Sequence, residues 1–295
     1  MNLVHPLKWH GGKNYLSKEI VAMMPPHIHY VETHGGGLQV LLARDPNKNW
    51  LLHDGEKIPS GQDGCSEVVN DINHCLMNFW TVLASENLFR EFHRVIEATP
   101  FSEELWDFSF KSLNESSFGI GNLIPDNFRV QVAVAFFIVC RQSLAGRMNS
   151  FTGVTKTRTR RNMNNEVSAW LSAVEGLPAA HERLKRVLII NRDALEVIQK
   201  HDTPDTFFYI DPPYLASTRT SPIVYQHEAS EEHHVDLLKL LGMLKGKFIL
   251  SGYRSGMYDD AAKRCKWKSK EIEIANHSAG GKEKEIKIEV LWYNY

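Results

Sequence analysis

The chain has 295 residues, enough for about two domains and for a core that needs neither disulfides nor metals. Its composition, 43% hydrophobic and 23% charged, is that of a soluble globular protein. A net charge of −1 excludes a uniformly basic surface, so any polyanionic partner has to be met by local clusters.

The opening "MNLVHPLKWHGG" carries no secretory signal, and Cys65, Cys75, Cys140 and Cys265 form no CxxC pair. The expectation is a cytoplasmic protein with reduced thiols. "NYLSKEIVAMM" has helical spacing at Leu16, Ile20, Met23 and Met24 and stops at Pro25-Pro26. "HIHYV" reads as a strand, followed by the glycine turn of "ETHGGGLQV" and a helix beginning at "LQVLLA". The Gly-, Pro- and Asp-rich stretch from Asp45 to Ser66 predicts a loop or hairpin excursion. "SEVVN" is then a strand and "HCLMNFWTVL" a helix. From about Phe79 to Asn165 the chain is helical and aromatic-rich, then polar and basic. Its apolar run "VQVAVAFFIVC" is too short for the ~20 residues of a membrane span, so it predicts a core element. After "AHERLKR" the alternation returns: strand "VLIINRD", helix "ALEVIQKH", strand "TFFYID", helix "EEHHVDLLKLLGML", strand "KFILSGY". The last segment predicts two strands around Gly280-Gly281, with Ile286, Ile288 and Val290 on one face. Such alternation predicts an α/β fold with a mostly parallel sheet covered on both faces, interrupted by the basic middle.

The sharpest chemical signal is Asp211-Pro212-Pro213-Tyr214 at the end of "FFYI". Ligands of open α/β sheets bind outside the carboxyl ends of the strands. There a carboxylate, a carbonyl fixed by two prolines and an aromatic ring suit a flat base bearing an exocyclic amine. The amine lone pair is delocalised into the ring. Accepting both hydrogens, on Asp211 and the Pro212 carbonyl, localises it for attack on an electrophilic carbon. Tyr214 would stack on the base, a contact worth about 1–3 kcal/mol. The competing reading is a strand ending in a Pro-Pro turn with a surface tyrosine.

These residues resemble the DPPY signature of the Dam-type, S-adenosylmethionine-dependent DNA adenine methyltransferases. Four further segments carry the resemblance in order. "PLKWHGGKNYL" is similar to the K-W-x-G-G-K-x-x-L motif, at Lys8, Trp9, Gly11, Gly12, Lys13 and Leu16. "YVETHGGGLQVLL" stands in place of the E-P-F-x-G-x-G cofactor loop, with Thr33 and His34 replacing Pro and Phe. "VVNDINHCLMNFW" resembles the D-I-N strand end, and "VLIINRDALEVI" the strand whose terminal acid borders the cofactor adenine. "EVLWYNY" looks like the closing strand. The resemblance implies a Rossmann-like methyltransferase sheet, residues 1–78 and 166–295, and an inserted, mainly helical target recognition domain, residues 79–165.

It also implies roles. Trp9, Lys13, Glu32, Gly35, Gly37, Asp71, Asp193 and Asp211 would bind S-adenosylmethionine, Asp71 through the ribose hydroxyls. Asp54 competes for that role, but only Asp71 sits in the D-I-N context; the alternative reading of Asp71 and of Asp193 is a helix N-cap. Asp211, Pro212, Pro213 and Tyr214 would act on an adenine flipped out of double-stranded DNA. Arg141, Arg147, Lys156, Arg158, Arg160 and Arg161 would contact phosphates, in a stretch free of Asp and Glu. "CRQSLAGRMNSF" departs from the family's N-R-x-x-x-N-G-like segment, which leaves the recognised sequence open. No metal is expected. His227, His233 and His234 read as a loop and the start of an exposed helix. Residence is expected in a bacterial or phage-infected cytoplasm, in a restriction-modification or related setting, with a monomer plausible.

Three rivals stay open. The same chemistry could serve RNA, a cytosine amine or a protein amide. A hydrolase could use His34-Gly35-Gly36-Gly37 as an oxyanion hole, but the chain lacks a G-x-S-x-G elbow. A DNA-binding homologue without activity is the third, motivated by Thr33 and His34.

Overall fold

The computed structural model describes residues 3–48, 50, 64–115, 125–218, 229–275 and 286–295. Two compact units divide the chain: residues 1–23, 35–47 and 71–191 in one, and residues 24–34, 48–70 and 192–295 in the other. The first is larger than the 79–165 segment read from sequence, since it also takes in both glycine motifs and the helices flanking the basic stretch.

In the first unit the helices are α1 (Ser17–Met23), α2 (Gln39–Ala43), α3 (His74–Ala84), α4 (Glu86–Glu97), α5 (Glu103–Glu115) and α6 (Asp126–Gln142). A two-residue hairpin, β3 (Thr159–Arg160) and β4 (Met163–Asn164), precedes α7 (Asn165–Glu175), α8 (Leu177–Leu184) and strand β5 (Leu188–Ile190). The apolar run of the sequence is α6. Being apolar all round, it is the central helix, with Ala133, Phe136, Phe137, Val139 and Cys140 out of solvent. Phe79 of α3 stacks on Phe137 with ring centroids 5.7 Å apart, and Trp170 of α7 meets the same ring at 5.3 Å. Asn73 caps α3 by accepting from the Leu76 amide at 3.0 Å. Arg161 and Asn162 have φ of 55° and 59°, the paired left-handed conformation that a tight two-residue hairpin turn requires.

The second unit is built on β1 (His29–Glu32), β2 (Ser66–Asn70), β6 (Thr206–Ile210), β7 (Lys247–Gly252), β8 (Lys268–Ala275) and β9 (Ile286–Tyr293). Helices α9 (Ala194–His201), α10 (Glu231–Leu241) and α11 (Gly256–Cys265) feed β6, β7 and β8. The strands run β2-β1-β6-β7-β9-β8; the first four are parallel and β9 is antiparallel to both its neighbours. Every residue of β6 is buried, as expected of a strand covered on both faces. Registers Glu32↔Val69, Glu32↔Tyr209 and Tyr209↔Ile249 bring the carboxyl ends of the parallel strands level.

The single apolar face expected on β9 is not what forms. Val290 is fully buried, but Ile288 is 45% exposed and Glu289, on the opposite face, is 1% exposed. The register explains this: β7 pairs only with residues 290–293 of β9, while β8 runs along it to residue 286. Ile288 therefore lies past the last β7 pair. The Gly280-Gly281 turn and most of the 45–66 excursion lie outside the described residues. Among the described residues no helix is long and apolar enough to cross a membrane.

Candidate active site

Each unit holds its own cluster of the predicted residues. In the first, a turn at Trp9–Gly12 and the loop Gly35–Leu38 pack together. The Leu38 amide donates to the Gly35 carbonyl at 2.8 Å, and Leu38 and Gly36 both adopt positive φ, 53° and 48°. A Cβ on Gly36 would stand 2.7 Å from Trp9 Nε1, and one on Gly37 would stand 2.8 Å from Trp9 Cβ. Gly36, which was assigned no role, is thus the position where only glycine fits without strain. The Gln39 amide fills the space beside both Gly12 and Gly37. Lys13 is buried, and its ammonium donates to the Gly11 carbonyl at 3.1 Å.

Asp71 fastens this loop. One carboxylate oxygen accepts from the Gly36 amide at 3.0 Å and the other from the Asn73 amide at 2.9 Å. Asn191 Nδ2 donates to the Asp71 carbonyl at 2.6 Å, and the Trp80 indole donates to the Gly36 carbonyl at 3.1 Å.

The second unit gathers the carboxylates. Glu32, at the end of β1, is 2% exposed and accepts from the Tyr30 hydroxyl at 3.0 Å. Asp211 follows β6, with Pro212 buried and Pro213 half-buried behind it. Tyr214 is 7% exposed, its hydroxyl donates to Glu289 Oε1 at 2.6 Å, and Tyr253 meets its ring edge-on at 4.7 Å. Burial first, then Asp211 and Glu289, hold the Tyr214 phenol well above its usual range. Tyr209 is raised in the same way by burial, Asp211, Glu289 and Glu32. Negative charge therefore concentrates at the carboxyl edge of the parallel strands β1 and β6, where the amino-terminal half of antiparallel β9 brings Glu289, a field suited to a cationic ligand or to amine hydrogens.

Asn70 ties this edge together. Its Nδ2 donates to the Thr33 and Arg192 carbonyls, each at 3.0 Å, and its Oδ1 accepts from the Arg192 amide at 2.9 Å. Asp193 caps α9 through Oδ1, which accepts from the Leu195 amide at 2.8 Å. Thr33 and His34 sit comfortably in the same edge. The Thr33 amide donates to Tyr209 O at 3.3 Å, a bond a proline could not make, and Thr33 Oγ1 contacts His34 Nδ1 at 2.9 Å. Burial, with His233 and His234 nearby, pushes the His34 imidazole down to about 3, so it is neutral at physiological pH. His234 is not on an exposed helix start: it is fully buried, with Nδ1 2.8 Å from the Tyr258 hydroxyl. It shares the apolar face of α10 with Leu237, Leu238 and Leu241, at helical spacing. Ser255 serves as the N-cap of α11. Asp54 and His227 lie outside the described residues.

A family model described as D12 class N6 adenine-specific DNA methyltransferase matches residues 9–277. The chain belongs to that family. It is an adenine-specific DNA methyltransferase. No curated protein matches it at a significant level.

The basic segment of this methyltransferase divides in two. Arg147, Lys156, Arg158 and Arg160 are exposed, the last beside the hairpin turn. Arg161 is exposed but forms a bidentate pair with Glu175, at 2.8 and 3.1 Å. Arg141 departs from the expectation of a surface cation. It lies on α6, the core helix, its Nε is out of solvent and its Nη2 donates to Ala169 O at 2.8 Å. Burial lowers its pKa accordingly. Residues that sequence reasoning passed over are Gly36, Gln39, Asn70, Asn191 and Glu289. The one available signal was the pair "VVND" and "IINRD", where an Asn ends or follows each strand just ahead of the acid.

Proposed function

We propose that this methyltransferase uses S-adenosylmethionine to methylate N6 of an adenine flipped out of duplex DNA. The observation that carries the reading is Asp211-Pro212-Pro213-Tyr214 at the carboxyl end of central strand β6, beside the buried carboxylates of Glu32 and Glu289. The donor chemistry fits the cofactor: acidic side chains suit a sulfonium and an amino acid ammonium, and a carboxylate such as Asp71 suits ribose hydroxyls. When bound, the cofactor supplies an electrophilic methyl on a positively charged sulfur.

In the first unit Trp9, Lys13, Gly35, Gly37 and Asp71 take the roles their motifs imply, with Asp71 setting the glycine loop. In the second, Glu32 adds negative charge at the edge and Asp193 borders the adenine ring. The Asp211 carboxylate and the Pro212 carbonyl accept the two amine hydrogens of the target base. Rigid prolines keep both acceptors aimed before the base arrives, so little reorganisation accompanies reaction. Asp211 stabilises the positive charge that develops on the amine, and the proton leaves during or after transfer.

Residues 79–165 supply the contacts to DNA, with Arg147, Lys156, Arg158 and Arg160 on phosphates. Arg161 joins them by exchanging its Glu175 partner. Sequencing DNA from cells expressing the protein, with modified-base detection, tests the reading. N6-methyladenine at a defined sequence supports it; methylation confined to cytosine or RNA overturns it.

A further inference from the structure

The hydroxyl of Tyr214 ends on a carboxylate that the proposed chemistry does not use. Glu289 comes from β9, about 75 residues further along the chain, and is 1% exposed. A glutamate is almost never fully buried unless it is paired, because desolvating the charge is costly. The 2.6 Å separation is that of a strong O–H···O⁻ hydrogen bond, in which the phenol donates. The site has been brought there by register. Val290 pairs with Gly252 at the last position of β7, so Glu289 stands at the carboxyl edge where Tyr253 begins. Tyr253 in turn meets the Tyr214 ring edge-on, with interplanar angle 72°.

From this geometry we infer that Glu289 is a positioning residue for methyl transfer, clamping Tyr214 by its hydroxyl so that the ring faces the flipped adenine. The inference rests on the base-binding role proposed for Tyr214. The ring is fixed at both ends: the backbone follows Pro212-Pro213, and the phenolic oxygen is held by a carboxylate from another strand. Tyr253 blocks rotation from the side. Releasing the hydroxyl frees the ring to tilt, and misplacement of about 1 Å at a reacting centre costs on the order of 10²-fold in rate.

The test compares wild type, Tyr214→Phe, Glu289→Gln, Glu289→Leu and the double variant Glu289→Leu/Tyr214→Phe on the duplex site found by sequencing. The expected result is a roughly 10- to 100-fold lower kcat for Tyr214→Phe and for Glu289→Leu. The KM for S-adenosylmethionine stays unchanged, a split that general loss of structure would not give. The double variant is no slower than the slower single one, since both break one contact. Glu289→Gln, whose carbonyl still accepts from the phenol, recovers most of the rate. If Glu289→Leu does not fold, Tyr214→Phe breaks the same bond from the other side. Wild-type kcat in folded Glu289→Leu or in Tyr214→Phe overturns the inference, as do multiplicative losses in the double variant. A wild-type protein that transfers no methyl group sinks the underlying reading and this inference with it; an active wild type with unaffected variants sinks this inference alone.

Discussion

Replacing Gly36 by alanine probes the construction of the glycine loop, and the chain contains its own controls. At Gly36, φ is +48° and a new Cβ would stand 2.7 Å from Trp9 Nε1 and 3.0 Å from Cδ1. At Gly153, φ is +64° but nothing lies within 4 Å. Gly153→Ala therefore carries only the cost of a left-handed alanine, about 1–2 kcal/mol. Gly36→Ala carries that cost and an overpacking cost of about 1–3 kcal/mol as the indole is displaced. The expected stability losses are about 2–5 kcal/mol at Gly36 and about 1–2 kcal/mol at Gly153. Gly256→Ala, with open space and no positive φ, leaves stability unchanged or raises it by under about 1 kcal/mol. Urea denaturation measures all three, and calorimetry with S-adenosylmethionine measures the functional consequence. Cofactor affinity falls in Gly36→Ala and holds in Gly153→Ala. Equal losses of stability at Gly36 and Gly153, with cofactor affinity intact in both, would refute the packing of Trp9 against this loop.

Other perturbations separate the remaining roles. Asp71→Asn puts an amide where two backbone N–H groups need acceptors, so cofactor affinity drops about tenfold or more while the fold persists; calorimetry giving wild-type affinity contradicts this. His34 stays neutral in the folded chain down to about pH 3 but protonates near its ordinary 6.5 when unfolded, so acidification through that window favours unfolding. His34→Phe removes this contribution, and its Tm falls less steeply than that of wild type between pH 7 and 5; parallel slopes contradict the assignment. Arg158→Ala/Arg160→Ala weakens DNA binding and lowers the salt slope of log K by about 1.8, if each arginine meets one phosphate. Arg141→Ala instead lowers Tm and leaves that slope unchanged, because its guanidinium serves Ala169.

The sequence was most informative where local chemistry fixes local structure. β2 coincides with "SEVVN" and α9 with "ALEVIQKH", because Asn-Asp and Arg-Asp punctuation brackets short, strongly patterned runs. The Asp211–Tyr214 segment was legible because its prolines determine its shape. Residues whose roles come from distant strands were not. Glu289, in "KIEVLW", reads by alternation as solvent-facing, yet it is 1% exposed and accepts from the Tyr214 hydroxyl, a partner distant in sequence. Asn70 looked like the flank of an acid, yet three of its contacts span 37 to 122 residues of sequence. Arg141 looked like one more cation in a basic run, although it occupies the last turn of the central helix. Helix α11 escaped notice because its buried positions, Tyr258, Ala261 and Ala262, alternate with charged residues and give a weak apolar stripe.

The central claim is that Asp211 and its neighbours activate an adenine amine. Its most direct test is transfer of a labelled methyl group from S-adenosylmethionine to duplex DNA by wild type and Asp211→Ala, with the product digested to nucleosides. The account predicts label in N6-methyladenine for wild type and a loss of at least about 10²- to 10⁴-fold for the variant at saturating cofactor, with the fold retained. Methylation by Asp211→Ala at the wild-type rate, or label recovered in any other nucleoside, would contradict it.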